Sequence, residues 1–304
     1  MKYAFIVLNY NTEKQTLTCI EEILRHTTKI NEKRVFILDN GSNNSRLKDD
    51  VESLFYDNNN ILFFYSEKNL GFARGNNYLY KIAKETFDPD FYIFLNNDVY
   101  IVSNDFCCQL RDEYCQSKFS VLGPRIILGN NTIDACSFDL PSVAEVKKEI
   151  LYWKTIKFLA KIHLATPFVY SKIAKDLICK YLHLSGYQRI DKSKRRENVL
   201  LQGACLVFSR EYFKCYAEPF DNRTFLYKEE ELVLLRCIKK SMKTVFSPSM
   251  IVYHEGGVST IKNRNKNQLF AFRADYYIMS LTILLNELCS EKGVNIYEKN
   301  CDYK

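Results

Sequence analysis

Apolar and polar positions fall in blocks along the first hundred residues, and the period within each block separates strand from helix. Tyr3 to Leu8 is a continuous apolar run that predicts a buried strand, and Thr12 to Arg25 then places Leu17, Ile20, Ile23 and Leu24 at helical spacing. Val35 to Leu38 is a second such run. It is closed by the turn-forming Asp39-Asn40-Gly41-Ser42-Asn43-Asn44 and followed by Leu47, Val51, Leu54 and Phe55 on one helical stripe. Ile61 to Tyr65 predicts a third strand, Asn69 to Gly75 a turn, Asn76 to Thr86 a helix, and Phe91 to Leu95 a fourth strand ending in Asn96-Asn97-Asp98. Strands alternating with helices predict an α/β fold around a mainly parallel sheet. In such sheets ligands gather at the carboxyl ends of the strands, where each of these polar clusters falls.

Past Gly123-Pro124 the pattern changes. Between about Pro141 and Asn198, Val146, Ile150, Trp153, Ile156, Lys157 and Leu159 predict one amphipathic helix and Phe168 to Leu184 a second, which together read as a helical insertion. Strand-like runs return at Leu200, Leu201 and Ala204 to Phe208. A helix around Glu230 to Ser241, strands at Thr244 to Phe246 and Met250 to Tyr253, and a C-terminal helix at about Gln268 to Leu288 complete the pattern. The expected organisation is a catalytic domain over residues 1–260, carrying the insertion at about 141–198, and a C-terminal helical segment over 261–304.

Composition narrows the class. A chain of 304 residues that is 47% hydrophobic can bury a large core, which excludes whole-chain disorder. The net charge of +7 is concentrated in the insertion, where thirteen Lys and Arg face five acids. That points to an anionic partner for this segment alone, such as a membrane surface under a basic helix with interleaved aromatics, or else to a helical subdomain whose basic faces are simply solvated. No nucleic-acid readout motif accompanies the basic residues, so nucleic acid is not expected as a partner. Eleven cysteines without a CxxC pair suggest reduced thiols in a cytoplasmic protein, with Cys107 and Cys108 as core filling. The apolar start is too short for a signal peptide or a membrane span.

Several residues carry candidate chemistry, each with a plainer reading beside it. Asp98, at a strand end behind Asn96 and Asn97, can hold a hard divalent cation, or the three can form an Asx-type turn. His254 ends a strand before Glu255-Gly256-Gly257 and is either structural or a second ligand, since manganese accepts mixed nitrogen and oxygen donors. Glu229, Glu230 and Glu231 sit in the first turn of a helix, where they complement its dipole, although a carboxylate facing a cleft can instead deprotonate a hydroxyl. Asp39 can accept a hydrogen bond from the N3 imide of uracil or thymine, or close an Asx turn. Asn69, Gly71 and Arg74, ahead of a helix, can meet a diphosphate or a base, although the spacing is neither a Walker loop nor a dinucleotide fingerprint.

Taken in order, Ile6-Val7-Leu8-Asn9-Tyr10-Asn11, Asp39-Asn40-Gly41-Ser42, Asn69 to Asn77, Leu95-Asn96-Asn97-Asp98, Gln202-Gly203-Ala204-Cys205, Phe225 to Glu230 and His254 resemble glycosyltransferase family 2, in particular its rhamnosyltransferase-like branch. The resemblance spans about Met1 to Thr260 apart from the insertion. It implies a GT-A fold and an inverting transfer from a nucleotide-sugar donor, with dTDP-rhamnose or a UDP-sugar as the donor and Mn2+ or Mg2+ as cofactor. A glycan or a polyprenyl-diphosphate-linked molecule is the implied acceptor. By motif position Asn9, Asn11, Asp39, Asn69, Gly71, Arg74, Asn96 and Asn97 belong to the donor site, Asp98 and His254 to the metal, and Glu230, with Glu229 beside it, to the general base. The chain departs from the family twice: Asn96 replaces the first acid of its D-x-D motif, and Glu229-Glu230 stands for its Glu-Asp pair.

Three rivals remain at this stage. A catalytically silent sugar-nucleotide binder need not keep Asp98, Glu230 and His254 together. A nucleotidyltransferase would be expected to carry a glycine-rich phosphate loop after the first strand, where this chain has Asn9-Tyr10-Asn11-Thr12-Glu13. A scaffold or homo-oligomer contact would use the insertion as a packing surface.

Overall fold

The computed structural model describes residues 1–129, 132, 139–171, 193–256 and 265–290. Strand β1 (Tyr3–Asn9), helix α1 (Glu13–His26), β2 (Lys33–Asn40), α2 (Leu47–Leu54), β3 (Ile61–Ser66), α3 (Gly71–Thr86) and β4 (Phe91–Asn96) alternate as expected. β5 (Val99–Ile101), α4 (Phe106–Ser117), β6 (Val121–Leu128), α5 (Val143–Lys161), α6 (Ala165–Tyr170), β7 (Arg196–Glu197) and β8 (Cys205–Ser209) follow. α7 (Arg210–Phe213), α8 (Glu229–Lys239), β9 (Thr244–His254) and α9 (Lys266–Cys289) complete the described elements.

The described strands form one sheet in the order β3-β2-β1-β4-β8-β6-β9-β5, with β7 added beside β9. β3, β2, β1 and β4 are parallel neighbours, and so are β6 and β9. The antiparallel pairings, β8 with β4 and β6, and β5 and β7 with β9, are all shorter than these. The sheet is therefore mainly parallel, and its first half explains the unbroken apolar runs. Phe5, Val7, Val35, Ile37 and Ile93 point to one face, against α1, α2 and α4. Ala4, Ile6, Phe36, Leu38 and Phe94 point to the other, against α3, α7 and α8. A strand covered on both faces has no solvent side on which to place polar residues.

Several boundaries differ from those predicted, for local reasons. α3 begins at Gly71 rather than Asn76, because Gly75 is a packing residue inside the helix and not a turn. A Cβ there would lie 3.0 Å from the Leu8 side chain. β9 is continuous across Pro248, which loops out where the pairing with β6 jumps from Pro124↔Ser247 to Arg125↔Ile251; proline is tolerated at such a bulge. Leu200 and Leu201 are buried in irregular chain rather than in a strand. β5 and β7, at three and two residues, are too short to carry a readable period. Of the helix expected over Phe168 to Leu184, the part up to Tyr170 lies in α6 and residues 172–184 lie outside the described residues.

The start of the insertion is a well-capped helix. At the head of α5 the Ser142 hydroxyl accepts from the Glu145 amide at 3.2 Å while the Ser142 amide donates to the Glu145 carboxylate at 2.7 Å, a reciprocal capping box. Val146, Ile150 and Trp153 of α5 then pack with Tyr277, Leu281, Leu284 and Leu288 of α9 and with Leu232, Leu234 and Leu235 of α8. α9 is thus built into the same core that carries α8. Leu284→Ala, at a fully buried position, is expected to lower stability by about 2–5 kcal/mol. In urea unfolding the single transition of the whole chain should shift, with no separate early phase for the C-terminal helix.

Candidate active site

Parallel register brings the polar strand ends together. Asn9 lies opposite Asp39, and Leu8 opposite Asn96, so β1, β2 and β4 all end at one edge of the sheet. Asn9 is fully buried. Its amide nitrogen donates to Asp39 Oδ1 and to Ser42 Oγ, each at 3.1 Å, while its carbonyl oxygen accepts from Thr16 Oγ1 at 2.9 Å. Asn97 donates to Thr12 Oγ1 at 2.6 Å and to Thr16 Oγ1 at 2.8 Å, closing the network from β4 to α1. Asn11 adopts the left-handed conformation with φ 56°; its amide donates to Ser42 Oγ at 2.8 Å and its side chain accepts from the Asn43 amide at 2.9 Å.

Asn40 anchors the next loop. Its side chain accepts from the Leu70 amide at 2.9 Å and donates to Gly71 O at 3.2 Å, and Asn69 Oδ1 accepts from the Gly71 amide at 2.8 Å. The Phe72 amide donates to Phe225 O at 2.7 Å and Arg74 Nε to Asn222 O at 2.8 Å. The first amides of α3 are therefore engaged within the protein and hold the chain around 222–225. Gly41, at φ 76°, is required by the same junction, since a Cβ there would stand 2.4 Å from the backbone of Lys68 and Asn69.

Asp98 and His254 meet at the far side of this edge. Val99 pairs with His254 in the antiparallel β5–β9 ladder, and the Glu255 amide donates to Asp98 O at 3.0 Å, so both residues are fixed by backbone. His254 Nε2 lies 3.3 Å from Asp98 Oδ1, and among the described residues the buried His254 Nδ1 has no hydrogen-bond partner. A ring with its Nδ1 unconstrained can keep its proton there and turn the Nε2 lone pair towards Asp98, which suits a cation shared by the two. The 3.3 Å spacing is close to the roughly 3 Å edge of an octahedron with ligands at about 2.1 Å. Among the described residues no third His, Cys, Asp or Glu joins them. The pair fits a divalent ion whose other positions are open to phosphate oxygens and water.

The acids of α8 approach from below. Tyr227 and Lys228 both have positive φ, 72° and 66°, a strained entry that throws Glu229 and Glu230 into the first turn of the helix. Glu230 abuts Gly203, where a Cβ would lie 3.3 Å from its carboxylate, and Ala204 O accepts from the Asn96 amide at 2.9 Å. The path from Glu230 to the Asn96-Asn97-Asp98 turn thus crosses two residues. Val199, Leu201, Leu206 and Val233 line the small hollow beside Glu230. Removal from water, with Glu231 and Glu229 close by, raises its pKa. Burial pushes Glu229, which is 4% exposed, up to about 7, and among the described residues its Oε1 has no hydrogen-bond partner.

The groups that support these acids come from distant parts of the chain. Lys228 is 15% exposed; burial opposes its charge, but Glu231 at 2.9 Å and Glu149 of α5 at 3.3 Å raise its pKa and keep it cationic. Trp153, Tyr277 and Tyr227 stack face to face, with centroids 4.2 Å and 4.0 Å apart. These partners lie up to 124 positions apart in the chain, so no local period could signal them.

The raised pKa of Glu229 has a stability consequence. An unfolded glutamate titrates near 4.5 and this one near 7, so the folded state holds the extra proton between those values. Stability is therefore expected to fall as pH rises through that window, by up to about 1.4 kcal/mol per pH unit from this residue. Urea unfolding at a series of pH values should show a shallower slope for Glu229→Gln; an unchanged slope would mean that Glu229 is ionised in the folded protein.

The model of glycosyl transferase family 2 matches residues 4–217. A search of curated proteins gave no match. Among solved structures, residues 1–349 of S. aureus TarS in complex with UDP give a TM-score of 0.51 at 14% identity, covering 99% of this chain and 75% of that one. Full TarS gives 0.53 at 14% identity, with 97% and 45% covered, and GalNAc-T7 with UDP, GalNAc and Mn2+ gives 0.55 at 14%, with 99% and 54% covered. This chain thus spans about half the length of the latter two. Their likeness agrees with the GT-A arrangement of one mainly parallel sheet between helices. With the family match running from the first strand to beyond β8, the chain belongs to glycosyl transferase family 2.

Proposed function

We propose that the protein is an inverting glycosyltransferase of the rhamnosyltransferase-like branch, moving a sugar from a dTDP- or UDP-linked donor to a glycan or polyprenyl-diphosphate-linked acceptor in surface-polysaccharide synthesis. The observation that carries this reading is the approach of Glu230, a carboxylate of raised pKa, to Gly203, whose neighbour Ala204 is bonded to Asn96 two positions before Asp98 of the Asp98–His254 pair. In keeping with it, the protein works in the cytoplasm, peripheral to the inner face of the membrane. Among the described residues no helix is long and apolar enough to cross a membrane.

The donor half is organised around Asp39. Asn9 and Ser42 hold its surroundings, leaving it to meet the N3 imide that uracil and thymine share. Asn11, Asn69, Gly71, Arg74, Asn96 and Asn97 act on the donor through the loops they fix. UDP is present in one of the TarS structures, and UDP with Mn2+ in that of GalNAc-T7, which supports a pyrimidine nucleotide and a divalent ion. Asp98 and His254 would hold Mn2+ or Mg2+, and the ion would supply neutralisation of the diphosphate leaving group.

The acceptor half is organised around Glu230. Its carboxylate takes the proton of the acceptor hydroxyl as that oxygen attacks the anomeric carbon opposite the departing diphosphate. The new bond to carbon forms on one face while the old one breaks on the other, so the configuration inverts. Removal from water, then the like charge of Glu231, raises the pKa of Glu230 and makes it a stronger base once ionised.

A panel of UDP-, GDP- and dTDP-sugars with and without Mn2+ or Mg2+, scored by thermal shift and slow hydrolysis, tests the donor. A silent binder would show thermal shifts with no hydrolysis under any condition. Glu230→Gln is expected to lower turnover by roughly 10² to 10⁴ while leaving the nucleotide-induced shift intact. Because the base must be ionised, wild-type turnover should climb with pH through neutrality. Near-wild-type turnover in folded Glu230→Gln would transfer the role to Glu229.

A further inference from the structure

Helix α5 is apolar on two sides. Its inner side, with Val146, Ile150 and Trp153, packs in the core shared with α8 and α9. Its outer side carries Leu151 (55% exposed), Phe158 (62%) and Ile162 just past its end (47%), interleaved with exposed Lys147, Lys154 and Lys161 at spacings of three and four. These positions form one stripe along the helix. The apolar stripe read from the sequence is thus the buried one, and a second remains on the surface. Of the eleven exposed large hydrophobic residues among those described, five fall between Leu151 and Tyr170, so the exposure is concentrated rather than scattered.

Among the described residues no carboxylate interrupts this face. Glu145 is held in the capping box, Glu149 turns inward to Lys228, and Asp275 of α9 lies to the side, paired with Lys157. Lys147, Lys154 and Lys161 have no ion-pair partner among the described residues.

We propose that the outer face of α5 docks on an anionic lipid surface. Leu151, Phe158 and Ile162 enter the boundary between headgroups and acyl chains, and the three lysines extend to lipid phosphates along their own stems. Charge complementarity selects this occupant. A second copy docked symmetrically through the same face would set one row of lysines against another. The inner face of the same helix touches the strained loop before Glu229, through Glu149–Lys228 and Trp153–Tyr277–Tyr227. Docking therefore holds the base loop about one helix diameter, roughly 10 Å, from the bilayer. The docking stands on this geometry alone and, if the lipid-linked acceptor is correct, supplies the place where that acceptor is met.

Sedimentation of the full chain with vesicles tests it without donor or acceptor, so its outcome is separate from that of the transferase reading. The protein is expected to pellet with phosphatidylglycerol-rich vesicles, less so in high salt, and weakly with phosphatidylcholine. Replacing Lys147, Lys154 and Lys161 together by Glu should weaken partitioning at least about tenfold. Replacing Leu151, Phe158 and Ile162 by Ser should abolish it, with the thermal midpoint and donor hydrolysis retained in both. Single Lys154→Glu and Phe158→Ser variants serve if a triple variant unfolds. Protein that stays in solution with anionic vesicles, or folded variants that pellet like wild type, would overturn the proposal. So would a wild-type dimer that ignores vesicles and that Phe158→Ser converts to monomer.

Discussion

A carboxamide buried at the end of an apolar strand must find its hydrogen-bond partners inside the protein, and the site edge depends on this requirement. Asn9, Asn40, Asn76, Asn77 and Asn97 are each 8% exposed or less. An unpaired amide at such depth costs several kcal/mol, so each becomes a fixed junction. Asn9 joins the first two strands to α1, Asn97 joins β4 to the same helix, and Asn40 clamps the loop that starts α3. Asn77 receives the Phe220 amide at 3.1 Å and donates to Phe220 O at 2.9 Å, tethering the segment that leads to the α8 acids. Loops that would otherwise be independent are locked to one another through side chains of a single type.

The parallel half of the fold was legible because burial on both faces leaves continuous apolar runs, and the polar residues that end each run mark the edge where they converge. Asp39 and Asp98 could be picked out in this way, His254 as the end of a later strand, and Glu230 only as an acid in the first turn of a helix. The sequence misled where one residue type serves two purposes. Gly75 reads as a chain breaker but is small to let α3 approach Leu8, and Pro248 reads as a strand end but occupies a bulge. Asn9 and Asn97 were expected to act on the donor, yet their amides bond to neighbouring side chains, and only pairing register reveals that.

What no local pattern could supply is the support beneath the acids. Lys228 draws together Glu149 of the insertion and Glu231 of α8, lying 6.0 Å from the ring centre of Tyr277 in α9. Its salt bridges are half-buried, with Lys228 15% and Glu149 23% exposed, so removing one partner would cost more than breaking a surface pair. The insertion is thereby tied to the strained segment before Glu229, while Lys147, Lys154 and Lys161 of its first helix stand exposed away from that contact.

That tie has an optical consequence. Trp153 is the one tryptophan in the 304 residues, and it lies in the ring stack that ends on Tyr227, two positions before Glu229. The indole emission of the native protein therefore comes from a single place, one ring, that of Tyr277, away from the element that would have to shift if the acids rearranged around a ligand. The molecule carries its own fluorescent reporter of that movement, with no label needed to read it.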